Sequence, residues 1–131
     1  MSDPGGRVLC VDDHDDTLEV MIHVLRSCGL AVTVARNLNE AQALIEQNGF
    51  DAFVLDIRLP DGDGAELCRS IRRKRPDAPI IVMSAAVYER DRARALACGA
   101  SSFVPKPTDL QELGQSLRLM IGKPGSEENR L

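Results

Sequence analysis

The segment FDAFVLDIRLPDGDG, residues 50–64, places a run of apolar residues directly before a single aspartate, Asp56, with turn-forming residues close behind. The run AFVL (52–55) is short and apolar on both faces, which is typical of a strand buried in a parallel sheet. A carboxylate at the end of such a strand is costly to desolvate unless a neighbouring group makes its charge tolerable. The glycines of PDGDG (60–64) predict a tight turn into a helix beside that carboxylate.

Short apolar runs alternate with helical patterns along the whole chain. The predicted strands are VLCV (8–11), AVTVA (31–35), AFVL (52–55), PIIVM (79–83) and SFV (102–104). Apolar residues at helical spacing between and after them are Leu18, Met21, Ile22 and Leu25, then Leu67, Cys68 and Ile71, then Leu110, Leu113 and Leu117. Gly29, Gly49 and Gly99 stand where three helices are expected to end, and Pro76 is expected to stop another.

This alternation predicts an α/β fold: a (βα)5 doubly wound sheet of five parallel strands, with helices on both faces because the crossovers are right-handed. We expect the strand order 2-1-3-4-5. Such sheets bind ligands beyond the carboxyl ends of the strands, near the point where the winding reverses. The functional residues are therefore expected directly after the strands.

Length and composition indicate one soluble domain. The chain has 131 residues, 44% hydrophobic and 27% charged, and a net charge of -4. We expect a cytoplasmic protein, because no segment has the length of a membrane span and the start lacks the pattern of a signal peptide. The negative charge and the scarcity of aromatic residues argue against nucleic acid as a partner. The four cysteines form no C-x-x-C pair and are expected to be reduced and packed.

The domain boundaries follow from composition at the two ends. Residues 1–6 (MSDPGG) are expected to be a disordered N-terminus and residues 7–121 the folded domain. Residues 122–131 (GKPGSEENRL) are expected to be a C-terminal tail or the start of a linker.

Polar residues follow four of the five predicted strands: Asp12 and Asp13, then Asp56, Ser84 and Lys106. In the expected order the first and third strands are neighbours, so the three carboxylates crowd together. Two carboxylates roughly 5 Å apart repel by about 3 kcal/mol at an effective dielectric of about 20. A divalent cation removes this conflict, and an all-oxygen site with room for water and a phosphate suits Mg²⁺ better than zinc. We expect His14 to be an exposed loop residue and not a ligand.

A magnesium ion, a hydroxyl and a lysine around an aspartate suit phosphoryl transfer to that aspartate. The metal and Lys106 neutralise phosphate oxygens, and Ser84 can donate a hydrogen bond to another. Asp56 is the expected nucleophile, because it stands alone after the third strand while Asp12 and Asp13 can share the metal.

These residues, within the segments LDIRLPDGDG, VMSA and FVPKP, resemble the receiver domain of two-component response regulators over roughly residues 7–121. The resemblance implies a flavodoxin-like fold in which Asp56 accepts phosphate from the phosphohistidine of a histidine kinase. It implies that Asp13 and Asp56 ligate Mg²⁺ directly, that Asp12 assists and that the backbone carbonyl of Arg58 is a further ligand.

The resemblance also implies a switch formed by Ser84, whose hydroxyl moves toward the phosphoryl group, and Phe103, whose ring turns inward. It implies that the Lys106–Pro107 bond is cis. The side chains of Arg58 and Ala86 flank the phosphoryl group, and we expect Ala86 to favour a long-lived phosphorylated state because it cannot orient water.

The partners implied by the resemblance are a sensor histidine kinase or phosphotransfer protein and an unknown effector. The effector, or a second copy in a homodimer, would bind the fourth helix, fifth strand and fifth helix, near Arg90, Arg92 and Arg94. The chain is expected to act as a binding switch and not as an enzyme. The basic run RSIRRKR (69–75) is expected to be the solvated end of a helix.

Two other classes of protein stay open at this point. The first class is the magnesium-dependent phosphatases with an aspartate nucleophile. Their D-x-D motif has the general acid as its second aspartate, and Arg58 occupies that position here. The second class comprises a receiver-like interaction module that is never phosphorylated and a nucleotide-binding α/β protein. The complete acidic set weighs against the interaction module, and the absence of G-x-G-x-x-G after the first strand weighs against the nucleotide-binding protein.

Overall fold

The computed structural model describes residues 5–85, 88–106 and 109–121. Its elements in chain order are β1 (Arg7–Val11), α1 (Asp15–Ser27), β2 (Ala31–Ala35), α2 (Leu38–Gln47), β3 (Ala52–Asp56), β4 (Arg58–Leu59), β5 (Gly62–Asp63), α3 (Gly64–Lys74), β6 (Ile80–Ser84), α4 (Glu89–Ala97), β7 (Ser102–Pro105) and α5 (Leu110–Ile121). Each predicted strand is present, and its bounds differ by at most one residue from those expected.

The main sheet has five parallel strands in the order β2-β1-β3-β6-β7. This confirms the predicted order 2-1-3-4-5, since β4 and β5 form a separate two-stranded antiparallel hairpin. Strand β1 lies between its two partners, with Val8 opposite Val32 of β2 and Ala52 of β3. The carboxyl ends of β1, β3 and β6 therefore lie side by side at one edge of the sheet.

Alternate residues of the central strands point into two different hydrophobic clusters, as the pleat of a strand requires. Leu9 packs in the larger cluster with residues of α2, α3 and α4 such as Leu67. Val8 packs in the second cluster with residues of α1 and α5 such as Leu18 and Leu113. Helices α1 and α5 therefore cover one face of the sheet, and α2, α3 and α4 cover the other.

The helix ends follow the predicted signals. Gly29 and Gly99 come after the C-cap residues of α1 and α4 with φ values of 92° and 108°, a left-handed conformation that only glycine adopts without strain. Gly49 and Pro76 each stand two residues beyond the last helical residue of α2 and α3.

Part of the basic run at the end of α3 is more than a solvated helix end. Arg73 and Lys74 are exposed, as expected. Arg72 is only half-buried but donates hydrogen bonds to the carbonyl oxygens of Arg75, Pro76, Ala78 and Gly99 at 2.7–3.0 Å. The expectation of a purely solvated end is therefore wrong for Arg72, which joins the end of α3 to the loop after α4.

The cysteines are free and buried, which confirms their predicted state: Cys10, Cys28, Cys68 and Cys98. Burial raises the pKa of the Cys10 thiol to about 12 and that of the Cys68 thiol to about 11, so both are protonated at neutral pH.

Gly5 and Gly6, within the expected N-terminal tail, make backbone hydrogen bonds. The amide of Gly5 donates to the carbonyl of Gly29 at 2.6 Å, and the carbonyl of Gly6 accepts from the amide of Ala31 at 2.9 Å. The rest of the expected tails, residues 1–4 and 122–131, lies outside the described residues. Within the described ranges, no helix is long and apolar enough to cross a membrane.

Candidate functional site

Three carboxylates and one imidazole meet at the carboxyl edge of the sheet. Asp12 and Asp13 directly follow β1, and Asp56 is the last residue of the neighbouring strand β3. One potential ligand atom from each of Asp12, Asp13, His14 and Asp56 lies within 4.8 Å of the other three. Asp12 and Asp56 are buried, with 2% and 7% of their surface exposed, whereas Asp13 is exposed. The structure thus brings the three predicted acids together.

Lys106 reaches this cluster from the loop after β7. Its Nζ donates to Asp12 Oδ2 and, at 3.2 Å, to Asp56 Oδ2. The backbone amide of Lys106 donates to the carbonyl oxygen of Ser84 at 2.8 Å, which fixes the start of the lysine side chain against the end of β6. One ammonium group therefore bridges the acids that follow β1 and β3.

The electrostatics leave the cluster short of positive charge. Burial raises the pKa of Asp56, and the charge of Asp12 raises it further, against the lowering effect of Lys106 and of the Arg58 amide. Burial lowers the pKa of Lys106, but its hydrogen bond to Asp12 and the charges of Asp56 and Asp12 outweigh this, so its pKa is raised. Three carboxylates thus share one ammonium, with the imidazole of His14 beside Asp12 and Asp13, and an added divalent cation would relieve their repulsion.

The donor set fits a hard divalent cation. Lys106 contacts the Oδ2 atoms of Asp12 and Asp56. Their Oδ1 atoms, which accept hydrogen bonds from the backbone amides of His14 and Arg58, and the carboxylate of exposed Asp13 offer further oxygens to a cation. Mg²⁺ and Ca²⁺ prefer such oxygens. The acidic pocket is consistent with the magnesium site predicted from the sequence.

Ser84 and Phe103 lie on the neighbouring strands β6 and β7. Ser84 is the last residue of β6 and is 2% exposed. Phe103 lies opposite Val82 in β7, and its ring packs in the larger hydrophobic cluster with 7% exposure. Phe103 is therefore buried, in the inward position that the resemblance implies for the switch.

The side chain of Arg58 is directed away from the acidic cluster and toward α4. Its backbone amide donates to Asp56 Oδ1 at 3.2 Å, but its guanidinium pairs with Asp91 of α4 at 2.6 Å. Asp91 is buried, with 5% of its surface exposed. A second ion pair joins Asp63 of the hairpin to Arg94 of α4. The sequence does not reveal these two contacts, because each joins a residue of the hairpin to a helix residue far along the chain.

Asp61 and Asp63 of the hairpin also satisfy amides at the starts of two helices. Asp61 accepts from the amides of Leu38 and Asn39 at 2.8 and 3.1 Å, in the first turn of α2. Asp63 is the N-cap of α3 and accepts from the amide of Ala65 at 2.9 Å. These amides have no partner within their own helices, so the hairpin stabilises both helix starts.

Two sequence expectations concern residues that the structure does not describe. Ala86, expected to influence the lifetime of a phosphoryl group, and Pro107, whose bond to Lys106 is expected to be cis, both lie outside the described residues.

Comparison with known proteins identifies this arrangement. The family model for the response regulator receiver domain matches residues 8–118. The chain belongs to this family. As a receiver domain it is part of two-component signalling.

Relatives with known names agree with this assignment. The receiver domain is 36% identical over 122 residues to "Response regulator MprA" of Mycobacterium sp. (strain KMS). The aligned region covers 93% of this chain and 53% of the relative. The chain thus spans about half the length of the curated relatives that it matches.

Solved structures give the same result. A CheY-like response regulator receiver domain protein from Methanospirillum hungatei JF-1 superposes with a TM-score of 0.86 at 27% identity, covering 96% of this chain and 99% of that one. The beryllofluoride-activated NtrC4 receiver domain dimer superposes with a TM-score of 0.81 at 29% identity, covering 88% of this chain and 95% of that one.

Proposed function

We propose that this receiver domain is a phosphorylation-activated switch that accepts a phosphoryl group on Asp56 from a phosphohistidine. The observation that carries the proposal is the bridge made by Lys106, whose ammonium contacts both Asp12 and Asp56. A lysine in this place gives the oxygens of an incoming phosphoryl group a positive partner beside the accepting carboxylate. The donor is a sensor histidine kinase or a phosphotransfer protein.

The transfer exchanges one bond to phosphorus for another. A carboxylate oxygen of Asp56 forms a bond to phosphorus as the phosphorus–nitrogen bond of the phosphohistidine breaks. The electron pair of the broken bond stays on the imidazole, which leaves as neutral histidine after taking a proton from solvent. The product is an acyl phosphate on Asp56, which water later hydrolyses.

We propose Mg²⁺ as the cofactor, held directly by Asp13 and Asp56, with help from Asp12 and the backbone carbonyl of Arg58. When bound, the ion neutralises charge on the phosphoryl oxygens and offsets the repulsion among the acids. Lys106 and the Ser84 hydroxyl bind the remaining phosphoryl oxygens.

Phosphorylation changes the charge beside Ser84 and thereby the outer surface. The phosphoryl group adds negative charge and acceptor oxygens, which attract the Ser84 hydroxyl. Because the amide of Lys106 is bound to the carbonyl of Ser84, a shift of Ser84 is passed to the loop after β7. We propose that Ser84 moves toward the phosphoryl group and that Phe103 holds its buried, inward position in the phosphorylated state.

We propose that the surface of α4, β7 and α5 carries the output to an effector or to a second copy of the domain. Arg90 and Arg92 are exposed there. The NtrC4 receiver that resembles this chain is a dimer in its beryllofluoride-activated form, which supports a second copy as one occupant. We place the protein in the cytoplasm, where kinase domains meet such receivers.

We propose that the chemistry is confined to the domain's own Asp56 and that the chain is not an enzyme for outside substrates. A phosphatase of the D-x-D type needs a general acid at position 58. Arg58 instead holds Asp91 with its guanidinium, which offers no proton at neutral pH.

The test is the intact mass after incubation with acetyl phosphate and Mg²⁺. We expect wild type to gain one phosphoryl group and Asp56→Asn to gain none. The matched control is Asp77→Asn, an exposed aspartate in the loop before β6, which we expect to behave like wild type. Phosphorylation of Asp56→Asn, or none in wild type, would contradict the proposal. Steady hydrolysis of p-nitrophenyl phosphate would favour a phosphatase.

A further inference from the structure

Asp91 is a buried carboxylate that lies outside the acidic cluster and that the proposed chemistry does not use. It stands in the first turn of α4, and its side chain is 7% exposed. Its Oδ2 accepts a hydrogen bond from the guanidinium of Arg58 at 2.6 Å, across 33 positions of the chain. A carboxylate buried to this degree is unfavourable without a charged partner. Asp91 therefore holds Arg58 more firmly than an exposed acid would.

A second group at the start of α4 contacts the same guanidinium. The Cζ atom of Arg58 lies 5.9 Å from the centre of the Tyr88 ring, within the range of a cation–π contact. Tyr88 is the N-cap residue of α4, and its carbonyl accepts from the amide of Asp91 at 3.0 Å. The ring and the carboxylate thus belong to one turn of backbone, and together they set the direction of the Arg58 side chain.

The backbone of Arg58, in contrast, belongs to the reaction site. Its amide donates to Asp56 Oδ1 at 3.2 Å, so the arginine side chain starts beside the accepting carboxylate. That side chain is long, 58% exposed and charged at any ordinary pH. The three acids of the cluster share the ammonium group of Lys106 and attract further positive charge. They are a second anionic target for the same guanidinium.

The two targets exclude each other, because one guanidinium cannot pair with both. An arginine binds carboxylates with several N–H donors at once, so on the cluster it would cover the oxygens that a divalent ion needs. The ion would then have to displace it before binding. At Asp91 the guanidinium satisfies a buried charge and leaves those oxygens open.

We propose that Asp91 is a positioning residue for the reaction at Asp56, and that it acts by holding the guanidinium of Arg58 at α4 and away from the acidic cluster. This rests on the proposed function in one respect, namely that the cluster binds a divalent cation and Asp56 accepts the phosphoryl group. Without the charge of Asp91, the guanidinium turns to the acids and competes with the cation. A residue of α4 that contacts neither the ion nor the phosphoryl group thereby controls access to both.

The primary test is calorimetric titration with Mg²⁺ of a double-mutant cycle: wild type, Asp91→Asn, Arg58→Met and the double variant. Asparagine keeps the size of aspartate but removes its charge. We expect Asp91→Asn to bind Mg²⁺ about threefold or more weakly than wild type. In the Arg58→Met background the same substitution should leave the affinity unchanged, because no guanidinium is released. An equal loss in both backgrounds, or no loss in either, would overturn the proposal.

The matched control is Arg94→Met, which breaks the other ion pair between the hairpin and α4. Arg94 pairs with Asp63, so this variant loosens the same helix without releasing a cation beside Asp56. We expect its Mg²⁺ affinity to match that of wild type. A loss as large as that of Asp91→Asn would mean that loosening α4 is sufficient, and the proposal would be wrong.

The rate of phosphorylation by acetyl phosphate gives a readout that a purely structural role would not produce. Competition by the guanidinium raises the Mg²⁺ concentration needed for half the maximal rate. It leaves the rate at saturating Mg²⁺ close to that of wild type. We expect this pattern for Asp91→Asn. A lower maximal rate with an unchanged dependence on Mg²⁺ would indicate a distorted site and would contradict the proposal.

A measurement without metal separates this inference from the proposed function. In metal-free wild type, Asp56→Asn should barely shift the ¹⁵N signal of Arg58 Nε, because the guanidinium lies at Asp91. In the Asp91→Asn background the same substitution should shift this signal clearly, and an absence of that shift would reject the inference. Mg²⁺ binding and phosphorylation that are equal in wild type and Asp91→Asn would also reject the inference alone. A wild type that neither binds Mg²⁺ nor gains a phosphoryl group would reject the proposed function, whatever the ¹⁵N signal shows.

Discussion

At the residue scale, the decisive group is Asp56, whose charge is unfavourable in the folded protein without metal. Burial is the main cause of its raised pKa, and Asp12 adds to it. In the unfolded chain an aspartate has a pKa of about 3.9. A group whose pKa is higher in the folded state contributes stability below its unfolded pKa and loses it as the pH rises through the folded pKa. The ionised form of Asp56 therefore opposes folding at neutral pH.

We predict that Asp56→Asn stabilises the metal-free domain at neutral pH. Thermal melts in the presence of a chelator should show a Tm about 2–6 °C above that of wild type. The difference should shrink as the pH falls toward the unfolded pKa of about 3.9, where wild-type Asp56 is protonated. Asp77→Asn should leave Tm near the wild-type value at each pH. A lower Tm for Asp56→Asn at neutral pH would contradict the prediction.

The acids themselves were predictable from the sequence, because parallel strands force residues that follow them to one edge of the sheet. The side-chain partners of Arg58 and His14 were not. A residue two positions after Asp56 was expected beside the phosphoryl group, but the buried carboxylate of Asp91, 33 positions along the chain, holds its guanidinium instead. Such a choice between two partners depends on distances that no local pattern encodes.

At the element scale, α4 is attached to the hairpin of β4 and β5 by two ion pairs. Arg58 pairs with Asp91, and Asp63 pairs with Arg94. The side chain of Asp91 is 7% exposed, whereas that of Arg58 is 58% exposed. Removing the arginine would leave a buried charge without its partner, which costs more than losing an exposed pair.

We predict that Arg58→Met destabilises the domain by about 1–3 kcal/mol, because the buried carboxylate of Asp91 loses its charged donor. Urea denaturation measures the change. Adding Asp91→Asn to Arg58→Met should recover part of the loss, since the remaining group is then neutral. The control is Arg92→Met, at an exposed position of α4 beside Asp91. Its free energy of unfolding should lie within about 0.5 kcal/mol of the wild-type value. Equal losses for Arg58→Met and Arg92→Met would reject this account of the pair.

Helix α3 begins against the backbone of β3, and only glycine fits at its first residue. A Cβ atom on Gly64 would lie 2.0 Å from the carbonyl oxygen of Asp56 and 2.9 Å from the Cα of Ile57. Both are backbone atoms and cannot move without displacing the end of the strand. The amide of Gly64 also donates to the carbonyl of Ile57 at 2.8 Å.

We predict that Gly64→Ala costs about 3 kcal/mol or more and lowers phosphorylation of Asp56, because the backbone of the accepting residue must shift. Gly49→Ala is the matched control, since a Cβ there meets nothing within 4 Å and φ is not in the left-handed region. Its stability should be equal to that of wild type or slightly higher. Chemical denaturation and the acetyl phosphate assay report the two effects. Wild-type behaviour of Gly64→Ala would show that the strand end yields more easily than its contacts indicate.

At the scale of the whole molecule, two hydrophobic clusters on opposite faces hold the sheet between its helices. The fold was predictable to this level, because two-face apolar strands and one-face apolar helices permit few other arrangements. The hairpin of β4 and β5 was foreseen only as a tight turn, since two-residue strands have no hydrophobic period of their own. The bonds from Arg72 to four carbonyl groups were also missed, because a basic run has the same appearance whether it is solvated or bound.

We predict that two leucines of α5, two positions apart, differ sharply in their contribution to stability. Leu117 is fully buried, whereas Leu119 is 74% exposed. Leu117→Ala should cost about 2–5 kcal/mol, because it leaves a cavity between α5 and the sheet. Leu119→Ala should change the free energy of unfolding by less than about 0.5 kcal/mol. Similar losses for both would mean that the orientation of α5 is wrong.

The capping role of the hairpin extends the influence of Asp56 beyond its own pocket. The chain segment that follows Asp56 stabilises the first turns of α2 and α3 through Asp61 and Asp63. It also contacts α4 through ion pairs of Arg58 and Asp63. Of the five helices in the described part of the chain, α2, α3 and α4 therefore contact one six-residue stretch, residues 58–63. We therefore expect a small displacement of that stretch, such as one caused by a change in bonding at an Asp56 oxygen, to be transmitted to the helices on that face of the sheet.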